Sequence, residues 1–347
     1  MIGISGAPGW IFRLTLLALA VVCCVIVLGS WTRLVDAGLG CPDWPGCYGN
    51  LVVPQTATEI QLAQALYPGS PVEVEKGWME MIHRYFATAL GILILLVALG
   101  SWVYRRRLYY PFKHTQLLLA VVLLQGAFGA WTVTWKLWPQ VVTAHLFGGF
   151  ITASLVTILL IRLARMGRLV RPLRIRQTRG SLRIWALVGL LLTIEQIFLG
   201  GWMSSNYAAM ACSDLPACNG QWWPAMNFAE GFNLSQTLGP NYLGGLMDGE
   251  ARKAIHMMHR LMAVLLGIYV LLLARKLWQQ PDIRLHIIAG VLVGLFSIQF
   301  GLGLANVYWH LPLPVAVAHN FGGACLFVNM MVLNYILFSR RTKVSYE

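Results

Sequence analysis

The chain has 347 residues, 58% of them hydrophobic and 11% charged, with seven cysteines and a net charge of +13. Apolar runs of about 20 residues recur along it, so lipid is the solvent for most of the molecule and a soluble globular enzyme is excluded. The positive charge is not a nucleic-acid footprint, because the basic residues sit in the connections between the apolar runs.

Eight spans are expected, all helical because backbone groups facing hydrocarbon must be satisfied within their own segment. Span 1, roughly 11–34, follows Arg13 and is too long for a cleavable signal. It leads into the loop CPDWPGC, with Cys41 and Cys47. Span 2, roughly 79–103, opens on EMIHR and is followed by Arg105, Arg106, Arg107 and Lys113. Span 3, roughly 115–137, contains QGAFG, and span 4, roughly 141–163, contains TAHLFGG. Eight arginines then fall between Arg162 and Arg183, around a linker at 164–181. Span 5, roughly 182–204, carries Glu195, an acid at a depth where it should be paired or protonated. A second cysteine loop, CSDLPAC, holds Cys212 and Cys218, and the stretch 220–252 is rich in Trp, Asn and Gly. Span 6, roughly 254–275, opens on HMMHR and is followed by Arg275, Lys276 and Arg284. Spans 7 and 8, roughly 285–307 and 313–338, precede a tail with Arg340, Arg341 and Lys343.

By the positive-inside rule these basic connections and both termini face the cytoplasm. The opposite side holds seven Lys or Arg and ten of the thirteen carboxylates. It also holds both short cysteine pairs, on the face where disulfides persist, which predicts one disulfide in each loop. Cys23, Cys24 and Cys325 lie inside spans and read as buried apolar residues.

The marks of the first half recur in the second. LGSWTRLVDAGLGCPDWPGC from Leu28 matches LGGWMSSNYAAMACSDLPAC from Leu199, and IHRYFATALG from Ile82 matches MHRLMAVLLG from Met258. QGAFG from Gln125 matches QFGLG from Gln299, and AHLFGGF from Ala144 matches AHNFGGA from Ala318. The offsets are 171, 176, 174 and 174. The chain therefore reads as two parallel four-helix bundles, 1–163 and 182–347, related by an axis along the membrane normal. His83 and His145 are thereby equivalent to His259 and His319, Arg84 to Arg260, and Glu80 to His256.

These four histidines lie four to seven residues into spans of one direction, hence at one depth, about 6 to 10 Å below the boundary. In a sequential bundle spans 2 and 4 occupy one diagonal, about 11 to 14 Å across, which suits a flat metallo-macrocycle with an imidazole on each face. Helix-helix hydrogen bonding and a proton path are the other readings of such residues. Gly148, Gly149, Gly322 and Gly323 would let a broad ring approach the backbone. Arg84 and Arg260 would pair with porphyrin propionates or snorkel to the interface. Glu80, on the face of His83, reads as a proton carrier or as a solvated loop-end acid. His114, His286 and His310 stand at span ends and read as interfacial.

With TRLVDAGLGCPDWPGC, EMIHR, TAHLFGG, MHRLMAVLLG and VAHNFGG in this order, the chain resembles the haem A synthase family over nearly its whole length. The resemblance implies an enzyme that oxidises the C8 methyl of haem O to a formyl group, for the haem supply of cytochrome oxidase. It implies His83 and His145 flanking the substrate haem O, His259 and His319 as axial ligands of haem b, and Glu80 as a functional acid. Cys41 and Cys47 match the family's loop cysteines. The implied location is a bacterial-type inner membrane, and the implied partners are haem O synthase, cytochrome oxidase assembly factors, an electron donor and membrane lipids, with no nucleic acid. His256, beside His259, would be open to ligand exchange. Two other classes fit four intramembrane histidines: a bis-histidine b-type electron-transfer cytochrome, and a haem transporter or chaperone. An electron wire has little need for Glu80 in one half and His256 in the other, and a transporter or chaperone would yield unchanged haem b as its extracted pigment.

Overall fold

A computed structural model describes residues 8–107, 110–166 and 179–339. Most of the arginine-rich linker at 164–181 and the basic residues Arg340, Arg341 and Lys343 lie outside the described residues. Among the described residues the regular structure is helical, with ten helices: α1 Gly9–Leu34, α2 Ala57–Leu66, α3 Val74–Val103, α4 Phe112–Thr134, α5 Pro139–Met166, α6 Arg179–Ser205, α7 Phe228–Gly231, α8 Gly249–Trp278, α9 Ile283–Tyr308 and α10 Leu313–Phe338. Eight are long and apolar enough to cross a membrane, and α2 and α7 are short elements of the outer loops. The spans α3 and α8 start five residues before the apolar segments do. Their first turns are polar and stand in the loop layer, where Asp248 caps α8 by accepting from the Ala251 N–H. Hydropathy marks the part of a helix in lipid, whereas the helix itself continues into whatever packs on it.

In the first half α1 packs on α3, α3 on α4, α4 on α5 and α5 back on α1; α6, α8, α9 and α10 close the same ring. The pairing fits two repeated four-helix bundles, with α3 opposite α5 and α8 opposite α10. The halves join through α5 and α10, which pack on each other and on α6 and α1 respectively. One apolar core runs through this seam from Ile11 and Leu159 to Phe327, where the rings of Phe150 and Phe327 meet at 6.4 Å. On the cysteine-loop side, Arg33 donates to the Ser204 carbonyl at 2.6 Å and to the Tyr207 hydroxyl at 2.7 Å, and Tyr207 donates to Asp36 at 2.9 Å. Ser204 and Tyr207 are the 171-residue counterparts of Arg33 and Asp36, so this lock sits where the two copies face each other.

The cysteine loops share one construction. Cys41 bonds Cys47, and Cys212 bonds Cys218. After each pair a two-residue turn, Tyr48-Gly49 or Asn219-Gly220, has positive φ at both positions. This is the turn type that Gly and Asn accept at least cost. Asp43 accepts the N–H groups of Tyr48 and Gly49 at 2.7 and 2.8 Å, and Asp214 accepts those of Asn219 and Gly220. These amides hold the Asp214 carboxyl below its ordinary value. A depressed carboxyl stabilises the loop above its unfolded value, and that contribution is lost as pH falls through the folded one. Hydrogen exchange at Asn219 and Gly220 should therefore stay slow through the ordinary carboxylate range and speed up only below it; Asp214→Asn should remove this pH dependence.

Three placements differ from the sequence reading. His114 is buried rather than interfacial, with Nε2 3.0 Å from the Leu155 carbonyl and Nδ1 3.3 Å from Arg162, because α4 begins against α5. Cys24 is exposed on α1, and Cys23 and Cys325 are half-buried, so these three are not core residues. Glu195, the counterpart of Cys24, is exposed on α6 with no hydrogen bond or ion pair among the described residues, which removes the paired alternative of the two expected for it.

Candidate functional site

Opposite corners of each bundle present one histidine each, His83 from α3 and His145 from α5, His259 from α8 and His319 from α10. All four line a single cavity of about 1820 Å³ that passes through both halves. Each ring lies against a glycine of the adjacent helix. A Cβ at Gly29 would stand 2.8 Å from the His83 ring, at Gly129 3.4 Å from His145, at Gly200 3.2 Å from His259 and at Gly303 3.2 Å from His319. Gly29 and Gly200 are 171-residue counterparts, as Gly129 and Gly303 are at 174. One helical turn before each glycine a carbonyl faces the ring: Val25, Gln125, Gln196 and Gln299. For His319 this is a hydrogen bond of 3.1 Å from Nδ1, which leaves Nε2 as the lone-pair nitrogen. The Nδ1 atoms of His83 and His145 are buried and make no hydrogen bond of normal geometry.

The rings of His259 and His319 are 6.5 Å apart between centroids. Two imidazoles on one iron, with bonds of about 2.0–2.1 Å as in imidazole-metal sites generally, place centroids about 6 to 6.5 Å apart. The spacing of the second pair thus fits axial ligation of one porphyrin iron, and the glycine backing of both rings and the oriented Nδ1 of His319 are what such ligands need. Among the described residues no group of three or more His, Cys, Asp or Glu could hold a bare ion. Of the four glycines after His145 and His319, two face the cavity. Gly149 and Gly323 line the cavity, but Gly148 and Gly322 accommodate the side chains of Gln125 and Gln299. Gln299 donates to the His319 carbonyl at 2.8 Å.

Above the histidines the arginines hold the cysteine loops. Arg84 donates through Nη1 to the carbonyls of Asp43 and Gly46, and through Nη2 to Glu80 at 2.5 Å. Glu80 also accepts the Cys41 N–H at 2.9 Å and is buried. Glu80 is therefore the base of the first loop as well as a cavity-lining acid, and not a solvated loop end. Arg260 makes the equivalent contact to the Ala217 carbonyl at 2.8 Å and a second to Cys212 at 3.1 Å, while its Nε is buried without a partner. His256, in the Glu80 position, is buried, lines the cavity and hydrogen-bonds the Ala208 carbonyl through Nδ1 at 3.0 Å. The halves differ at the ligands too. The Gln196 amide touches both nitrogens of His259, at 3.2 and 3.3 Å, where its counterpart beside His83 is the apolar Val25.

Sequence reasoning missed the four backing glycines, Gln196 and the Asp43 and Asp214 clamps. The glycines and aspartates were visible as repeated positions inside the matched motifs, but a repeat does not say which neighbour a residue meets.

The COX15-CtaA family model, described as cytochrome oxidase assembly protein, matches residues 12–331. Among curated relatives, a "Heme A synthase" of Shewanella oneidensis is 42% identical over 97% of this chain and 98% of its own length. Proteins of the same name from Caulobacter sp. (strain K31) and Maricaulis maris are 29% and 27% identical, each over 91% of this chain and 92% of their own.

Proposed function

Because the chain belongs to the COX15-CtaA family of cytochrome oxidase assembly proteins, we infer that it is a haem A synthase, an oxidoreductase that converts haem O to haem A for cytochrome oxidase. The observation that carries this reading is the two glycine-backed histidine pairs lining one cavity, the second of them with its ring centroids 6.5 Å apart. The C8 methyl of haem O would be hydroxylated twice, each time with one dioxygen, two electrons from the donor and two protons, so that one oxygen atom enters the C–H bond and the other leaves as water; the alcohol and then the geminal diol result, and the diol loses water to leave the formyl group.

The first half, 1–163, takes haem O between His83 and His145; the second, 182–347, holds haem b between His259 and His319. Haem b, when bound, supplies a redox-active iron. The protein's part is placement. His319 is held by the Gln299 carbonyl with Nε2 directed to ligation, and the Gln196 amide, which lies against the edge of the His259 ring, would turn from Nε2 when that nitrogen ligates. Glu80 offers a carboxylate at the cavity wall that can take up or release a proton, with Arg84 stabilising its charged form. Arg260, through its unpartnered Nε, is the better placed of the two arginines to receive a propionate. Trp44 and Trp222 of the loops line the cavity and help exclude water.

The placement of the basic residues supports a topology in a bacterial-type inner membrane with both termini on the cytoplasmic side and the disulfide loops on the opposite side. The partners are an enzyme that delivers haem O, an electron donor, assembly factors of cytochrome oxidase and the surrounding lipids. Chromatography of pigment extracted from cells making this chain, with and without a haem O supply, tests the reaction: hydroxylated and formyl products are expected only with the supply. Unchanged haem O in both would mean a carrier or a cytochrome rather than a synthase.

A further inference from the structure

The lining of the two lobes of the cavity differs, and Phe296 stands at the point of difference. On the second side, a space of about 340 Å³ between α8 and α9, lined by Gly267, Leu271 and Phe296, adjoins the main cavity, with which it shares Phe296, Phe300, Ala263 and Val264. Phe296 lies against Gly267, whose Cβ would stand 2.7 Å from the Phe296 ring tip. The counterparts on the first side are Gly91, Leu95 and Val122, and all three line the main cavity itself. Nothing lies within 4 Å of a Cβ at Gly91. With valine in place of phenylalanine the partition is missing, and the first lobe continues down the groove between α3 and α4. Leu95 is twelve residues beyond His83, about 18 Å at 1.5 Å per residue. The groove is apolar and opens sideways to lipid, with Leu95 41% and Leu123 66% exposed while lining the cavity.

We propose that the groove past Gly91 and Val122 receives the long isoprenoid chain of a tailed porphyrin, and that Phe296 denies the same chain to the second half, which takes a tail-less porphyrin. This rests on the proposed function and adds the residue that sorts the two porphyrins. An isoprenoid chain in a bilayer gains nothing from leaving water, so sorting must come from shape: a lobe with room admits it, and a blocked lobe rejects it.

Val122→Phe should rebuild the second half's partition in the first, with the open face of Gly91 as the slot for the ring. Purified wild type, V122F and F296V, made in cells supplied with haem O, would be compared for haem b and for tailed pigment (haem O plus its oxidised products) per chain. V122F is expected to lose tailed pigment by about tenfold and to keep haem b at the wild-type level. F296V is expected to gain tailed pigment as the small space joins the cavity. Tailed pigment unchanged in V122F would overturn the proposal and make the groove a seat for lipid acyl chains. Equal loss of both pigments in V122F, or no gain in F296V, would also overturn it. The proposed reaction fails separately: wild type that holds haem O and makes no formyl product leaves this sorting intact, whereas normal product from V122F leaves the reaction intact and removes the sorting.

Discussion

Gly29→Ala is expected to lower formyl product by about 10²-fold, the usual cost of displacing a reacting group by about an ångström. The added Cβ would stand 2.8 Å from Cε1 of His83, closer than real contacts allow, so the ring must leave its place. A methyl group is otherwise harmless in a helix, where alanine is the better former. Gly294→Ala, in open space on α9, is therefore the control that should keep full activity. Gly200→Ala should act more weakly, since its Cβ would stand 3.2 Å from His259, and on a different readout: retained haem b rather than turnover. If Gly29→Ala turns over like the parent, His83 is not held where ligation requires.

Glu80→Ala should be the most damaging single change at the loop base. It leaves the Arg84 guanidinium, 11% exposed, without its carboxylate and the Cys41 amide without an acceptor. Removing one partner of a buried ion pair costs about 3–5 kcal/mol. Product should be lost together with protection of the CPDWPGC loop from proteolysis, while haem b at His259 and His319 is retained. Glu80→Gln keeps an oxygen for the Cys41 N–H and should restore loop protection without restoring turnover. Full turnover in the glutamine variant would remove the proton role from Glu80 and leave it a structural one.

Much of the site could be read from the residues because a duplicated membrane protein states its important positions twice. A histidine in hydrocarbon is costly, so four of them at matching offsets stood out as candidate site residues. The arginine-rich connections and the paired cysteines, each a local signal, were equally plain. Arg84 and Arg260 were legible as important but not as to role. Near a porphyrin a guanidinium suggests a propionate, yet most of their donors turn to loop carbonyls, contacts set by how residues 43–46 and 212–217 fold back over the helices.

The sequence by itself determined eight spans, two equivalent bundles and a pair of histidines for each, because apolar length, charge placement and repeat spacing are properties of the chain in one dimension. Only the tertiary structure decided that both pairs share one cavity, that a glycine backs every ring, and that Phe296 closes in one half what Val122 leaves open in the other. Each of these depends on which side chains from different helices meet, and packing between distant segments fixes that rather than any local preference.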